Sequence, residues 1–281
     1  MKKKGIISLS IIVIVIVLTG VLFGTVFCLR SQNVTVLGDI SLQISKEDII
    51  KVANLKNGQS IFMVDKETAT NNIESKFAEI KVVQIKTTSI NEIKIFVRAR
   101  HEMFYTEFND KYYVLDEDLK ILRIIEESED GQPSNEPTNL THIENEVLDI
   151  NSSTKICDFV GSDYQKKIAY ELCKAVTNNV KTKQGDQEEY YTRTDMCDIL
   201  KSINFEEFNT FNKIIITTKY GVKLDIESPT KHMADKINIC FSTIRALISE
   251  GKDREQSGTI KIYYDLDGTQ KNIYIPETSG I

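Results

Sequence analysis

"ISKEDIIKVANLKNGQSIFMVDKETATNNIESKFAEIKVVQIKTTSINEIKIFVRA" runs from Ile44 to Ala99, and its apolar residues change period once along the way. The first part reads as two helices. Ser45 is placed to cap the first, with Asp48 three residues on and Ile44 and Ile49 at the positions of a hydrophobic staple. Ile49, Val52 and Ala53 give that helix one apolar stripe, and Asn57-Gly58 is its expected stop. Asp65 caps the second helix, whose Ala69, Ile73 and Phe77 recur every fourth residue. From Lys81 the period falls to two. Val83, Ile85 and Thr87 alternate, Ser89-Ile90-Asn91 breaks the run, and Ile93, Ile95, Val97 and Ala99 resume it.

Working outward, Asn33-Val34-Thr35-Val36 supplies a strand before the helices, so residues 33–100 read as β-α-α-β-β, with two helices covering one face of a three-stranded sheet. Before that strand, Ile6 to Leu29 contains no ionisable side chain except Cys28. As a helix it would be roughly 36 Å long, enough for a hydrocarbon core of about 30 Å. A cleaved signal peptide is the competing reading, but its apolar region is usually only about 7 to 15 residues long. It also ends at small residues, and Thr25-Val26-Phe27-Cys28 offers no such site. The expectation is therefore an uncleaved single-pass anchor. Lys2, Lys3 and Lys4 before it, against Arg30 after it, put the N-terminus in the cytoplasm and the bulk of the chain outside. Gly20 and Gly24 have the spacing of a helix-dimer seam, a weak motif in a membrane helix.

The net charge is −6, and the first 30 residues hold four basic groups and no acid, so the remainder carries −10. A body that acidic is poorly suited to nucleic acid or anionic lipid. Residues 126–154, rich in acid, Pro, Ser and Asn, read as a polar surface loop. Beyond it, Tyr164, Ile168, Leu172 and Val176 form one helical stripe, and Met233, Ile237, Phe241, Ile244 and Ile248 another. Ile214–Thr218 and Val222–Ile226 read as strands joined at Tyr220-Gly221. A final hairpin, Ser257–Glu277, turns at Asp267-Gly268, with Ile260, Ile262 and Tyr264 on one face and Ile273 and Ile275 on the return. The fold class is α+β, with a second domain built on an antiparallel sheet backed by helices.

No catalytic set emerges. His101, His142 and His232 lie at no metal-ligand spacing, and His142 falls in the polar loop. Asp116 and Asp118 fit one solvated strand face, and Asp265-Leu266-Asp267-Gly268 lacks the later ligands of a calcium loop. Cys157, Cys173, Cys197 and Cys240 match no metal motif, and Cys173 and Cys240 fall on apolar helix faces as buried thiols. No cofactor is expected. What is left is binding through backbone, since a strand near a chain end is often a sheet edge. An edge paired internally and protected by Lys261 and Lys271 is the alternative from residues alone.

Several stretches carry a resemblance. Gly58-Gln59-Ser60-Ile61-Phe62 followed by Asp65, the strand pair after it, and Tyr113-Val114-Leu115-Asp116 resemble the POTRA domain and early β domain of FtsQ/DivIB cell-division proteins. Tyr220–Leu224, a helix over Lys231–Ile248, and Gly258-Thr259-Ile260 resemble the family's C-terminal part. Two positions depart from it: no proline follows Arg98–Glu102, and Lys261 stands where an acid is common.

The resemblance implies a cytoplasmic tail over 1–5, a transmembrane helix over 6–29, a POTRA-like domain over 33–101, a β domain over 102–276 and a tail over 277–281. It also implies a non-catalytic divisome protein of the cell membrane at the division septum. Such a protein binds partners of the FtsL and DivIC/FtsB type and helps regulate the septal peptidoglycan synthase complex. The implied partner-binding residues are Ile260, Ile262, Tyr263, Tyr264, Tyr274 and Ile275. A membrane-anchored envelope enzyme and a POTRA-type chaperone for exported chains stay open as alternatives.

Overall fold

The computed structural model describes residues 12–21, 25–37, 44–126, 136–144, 148–179, 181–184, 187–190, 199–208, 211–249, 258–265 and 268–277. The chain divides into two compact units, Met1–Arg100 and His101–Ile281.

In the first unit, residues 12–21 are helical (α1), and the Thr25 hydroxyl donates to the Val21 carbonyl at 2.6 Å, one turn back. No helix among the described residues is long and apolar enough to cross a membrane. The expected helix over 6–29 does not run to its end: Val26–Leu29 are non-helical, Cys28 bridges to Ser60, and Leu29 is fully buried in the core of the first unit; residues 6–11 and 22–24, Gly24 among them, lie outside the described residues.

The order β1 (Ser31–Val36), α2 (Lys46–Ala53), a 3₁₀ turn (Ile61–Met63), α3 (Lys66–Lys76), β2 (Ile80–Ser89) and β3 (Glu92–Ala99) follows the sequence reading. β3 is central, parallel to β1 and antiparallel to β2. Ser45 caps α2 by accepting from the Asp48 N–H at 3.1 Å, and the Asp65 carboxylate caps α3 by accepting from the Thr68 N–H at 2.9 Å. The stop of α2 comes earlier than Asn57-Gly58, because Asn54 takes the left-handed conformation at φ 52° and returns its N–H to the Lys51 carbonyl.

Ile49, Ala53, Ala69 and Ile73 from the helices pack on Ile93, Ile95 and Val97 of β3. Each isoleucine so buried contributes roughly 2 kcal/mol. The simple alternation expected in β2 fails. A bulge between Val82 and Gln84 shifts the register, so Ile80 and Ile85 both point inward while Val83 is 49% exposed. The buried Arg100 guanidinium closes the unit. It pairs with Glu74 at 2.9 Å and donates to the Ile80 carbonyl at 2.9 Å.

The second unit holds β4 (Phe104–Phe108), β5 (Lys111–Leu115), β6 (Ile121–Ile125), β7 (Thr141–Glu144), α4 (Asp163–Asn179), β8 (Lys181–Gln184) and β9 (Gln187–Tyr190). It continues with β10 (Leu200–Phe208), β11 (Phe211–Thr218), β12 (Lys223–Glu227), α5 (Met233–Ser249), β13 (Gly258–Tyr264) and β14 (Gln270–Pro276). Nine strands make one sheet in the order β14-β13-β12-β11-β10-β7-β4-β5-β6, and β8 and β9 pair separately. The sheet is mixed rather than antiparallel: β4 with β7, β7 with β10, and β12 with β13 are parallel neighbours. For the last pair the cause is α5, a crossover that returns the chain in the direction it left. Ile168, Leu172 and Val176 of α4 and Ile237, Phe241 and Ile244 of α5 share one core with the inward residues of the strands. Cys173 and Cys240 are buried there as free thiols, and burial pushes Cys240 up to about 12. Cys197 lies outside the described residues.

Two further expectations are corrected. The polar loop over 126–154 contains β7, a strand inside the sheet with Thr141 and Ile143 fully buried; residues 127–135 and 145–147 lie outside the described set. Asp116 is not on a solvated face. It is fully buried where β5 ends, and its Oδ1 accepts from the N–H groups of Asp118 and Lys120, each at 2.9 Å, which forms the turn into β6.

Replacing Asp116 by Ala strands those two donors and is expected to cost roughly 2 to 4 kcal/mol in urea unfolding followed by circular dichroism. Asp116→Asn keeps a carbonyl oxygen at the same place and is expected to recover more than half of that loss.

Candidate docking edge

A sheet of nine strands has two ends, and here they differ. At one end, β6 is covered in part by the chain itself. The Ile121 N–H donates to the Asp158 carbonyl and the Ile121 carbonyl accepts from the Cys157 N–H, each at 2.9 Å, while Lys120 bridges to Phe159. At the other end lies β14. Among the described residues no backbone bond reaches it except from β13.

The ladder determines which groups of β14 face outward. The Asp265 N–H donates to the Thr269 carbonyl at 2.9 Å, and the register from Tyr264 opposite Gln270 to Gly258 opposite Pro276 has no shift. Since antiparallel pairs alternate, Lys271, Ile273 and Ile275 bond inward to β13, and the backbone N–H groups of Gln270, Asn272 and Tyr274 point to the free edge. Pro276 sits at the next outward position, where a missing N–H costs the ladder nothing. The turn residue Asp267 lies outside the described residues, and Gly268 beside it takes φ 80°.

The residues singled out from sequence divide by location. Ile260 and Ile262 are fully buried in the core on the internal strand β13, so their side chains do not line the edge. Tyr264 is half-buried, with the Lys236 ammonium 4.9 Å above its ring. Tyr263 is on the opposite face of β13, beside the Lys261 ammonium at 5.8 Å. Tyr274 is on β14 itself. Its ring lies over Gly258, where any Cβ would overlap it, and among the described residues its buried hydroxyl has no hydrogen-bond partner. Ile275 is 48% exposed, and Ile273 two residues before it is 46% exposed, so the outer rim carries an apolar pair.

Sequence reasoning missed Lys236, which shares its side of α5 with Met233, Ile237 and Cys240. It is fully buried, and its ammonium donates to the carbonyls of Glu227 at 2.7 Å and Ser228 at 2.8 Å. Burial pulls it down to about 8. These bonds fasten α5 to the end of β12, and the ring contact fastens it to the end of β13. On the outer face, Lys213 pairs with Glu206 at 2.8 Å and approaches Asp225, whose carboxyl is raised by burial. His142 is in β7 rather than a loop. Its ring stacks on Tyr105 at 4.7 Å, and burial lowers its pKa.

Among the described residues no group of three His, Cys, Asp or Glu could hold a metal. A depression of about 110 Å³ in the first unit is lined by Ala53, Leu55, Gln59, Met63, Asp65 and Thr68 among others. Its one ionisable group, Asp65, caps α3, and the Thr68 N–H holds its carboxyl below the usual carboxylate range.

The chain is thus a β-α-α-β-β unit followed in sequence by a unit built on a helix-backed mixed sheet. Residues 29–100 match the family model of the POTRA domain, FtsQ-type. The cell division protein DivIB of Clostridium tetani (strain Massachusetts / E88) is 34% identical over 79 residues, which is 28% of this chain and 29% of that protein. The match therefore spans less than a third of the relative's length. The first unit is similar to an FtsQ-type POTRA domain, and part of the chain is similar to part of a DivIB protein.

Hydrogen exchange tests the assignment of the edge. In the protein alone, the amides of Asn272 and Tyr274 are expected to exchange far faster than those of Ile273 and Ile275, in an alternating pattern along β14 read by nuclear magnetic resonance.

Proposed function

We propose that this protein is a non-catalytic divisome component, anchored in the cell membrane by a single helix that lies within the expected span 6–29 and ends before Val26, with the N-terminus cytoplasmic and both folded units outside. It acts in bacterial cell division at the septum by adding a strand from a bitopic partner of the FtsL and DivIC/FtsB type to β14. Through that complex it helps regulate septal peptidoglycan synthesis. The likeness of the first unit to an FtsQ-type POTRA domain and of part of the chain to a DivIB protein supports the setting, and the open β14 edge is the observation that carries the binding mode. β14 carries Lys271 near one end and Pro276 at the other, with no charge or proline between them. Lys271 is its only charged residue, while Ile273 and Ile275 on the outer rim offer an apolar contact to alternate side chains of the added strand. Tyr274 offers that strand its outward backbone groups, while its ring stays over Gly258. In this reading Tyr263, Tyr274 and Ile275 touch the partner. Ile260, Ile262 and Tyr264 hold β13 flat beneath it.

The test is capture of partners from membranes of the source cell by the full chain. Asn272→Pro removes one outward donor and spares the bonds to β13, so it is expected to lose the small bitopic division partners while the far-ultraviolet spectrum stays that of the parent. Retention of those partners would move the binding surface elsewhere. Recovery of no division protein by the parent chain would remove the divisome reading itself.

A further inference from the structure

The first unit carries exposed apolar side chains at one end that the docking edge does not use. Phe62 and Met63, in the 3₁₀ turn, are 67% and 81% exposed. Ile90, at the β2–β3 turn, is 54% exposed, and Val26, just after the α1 segment, is 37% exposed. Aromatic and long apolar residues at the tips of tight turns contribute nothing to the core they leave.

Backbone bonds hold both turns against the chain that leaves the helical segment. The Ile61 N–H donates to the Phe27 carbonyl at 2.8 Å, the Leu29 N–H to the Gln59 carbonyl at 2.8 Å, and the Gly58 N–H to the Leu29 carbonyl at 2.8 Å. The Phe27 and Phe62 rings lie 5.5 Å apart. On the other side, the N–H groups of Arg30 and Ser31 both donate to the Asn91 carbonyl, at 2.9 and 3.2 Å. The Arg30 guanidinium also reaches back to the Thr25 carbonyl at 3.0 Å. Residues 26–31 are thus flanked by both turns, with no slack between them and Thr25.

From these contacts we infer that the Phe62-Met63 turn and Ile90 sit in the outer interface of the lipid bilayer and seat the POTRA unit on the membrane surface. The inference rests on the anchor reading of residues 6–29. If that helix crosses the bilayer, it delivers Phe27 to the lipid boundary, and the bonds above bring Phe62, Met63 and Ile90 to the same level. Apolar residues of this kind partition into the headgroup and acyl boundary to a depth of about 5–10 Å. The occupant of the patch is lipid because the patch is continuous with the segment that enters lipid. Leu37, also exposed, lies at the far end of β1, about 20 Å along the strand.

The chain contains no tryptophan, so single substitutions give single reporters. The full chain, reconstituted into phosphatidylglycerol and phosphatidylethanolamine vesicles with brominated acyl chains, would carry Met63→Trp, Ile90→Trp, Leu37→Trp or Val17→Trp. The expected result is blue-shifted emission and severalfold stronger bromine quenching for Trp at 63 and 90 than at 37, with the strongest quenching at 17. Quenching at 63 and 90 no greater than at 37, with 17 strongly quenched, would overturn the inference and leave the anchor standing. A blue shift at 63 without quenching would also overturn it, because protein and not lipid would then cover the turn. Absence of quenching at 17 would remove the anchor reading, and this inference with it.

Discussion

A β-sheet that does not close on itself must leave a row of backbone groups at each end, and the second unit depends on how that obligation is met. The β6 end is covered in part by the chain's own residues 157–158, which use both backbone groups of Ile121. The β14 end has no such cover among the described residues. The crossover made by α5 causes the asymmetry: it lays β13 parallel to β12, so the short hairpin that follows can only place β14 outside it. The last strand is an edge by topology, whatever its side chains.

The edge is held by groups that are themselves costly to bury. Lys236 gives its ammonium to two carbonyls at the end of β12 and to the Tyr264 ring. A buried ammonium without partners would destabilise the fold by several kcal/mol; with two carbonyls and a ring it becomes a tie between helix and sheet. On the outer face, Lys261 lies 3.6 Å from Glu227, across the same two strands. Both ties act on β12 and β13. β14 is held by its ladder to β13 and by the Tyr274 ring over Gly258, so its outward groups stay in register without being used.

The first unit was legible in the sequence because its signals are local. Ser45 and Asp65 cap helices through atoms three residues away, and β3 writes its alternation as Ile93, Ile95, Val97 and Ala99. Where the determinant is non-local, legibility failed. β7 is four residues with one aliphatic side chain inside an acidic stretch, and only its neighbours β4 and β10 make it a strand. The bulge at Val82 inverts a face without changing composition. Asp116 looked solvated because burial depends on what the β5–β6 turn packs against. The hairpin is visible in its alternation, but only the sheet order shows that β14 stands outside Ile260 and Ile262.

A docking edge of the kind proposed needs no reactive side chain. A site that works by strand addition is made of N–H and C=O groups, which every residue except proline supplies in full. Its specification lies in three things: which strand is last, which residues of that strand bond outward, and which alternate side chains line the rim. Here these are β14, the set Gln270, Asn272 and Tyr274, and the pair Ile273 and Ile275. None is a chemical motif. The first two follow from the helix crossover and the hairpin register, so the edge is encoded in the connectivity of the fold, and only the rim pair is a choice of side chain.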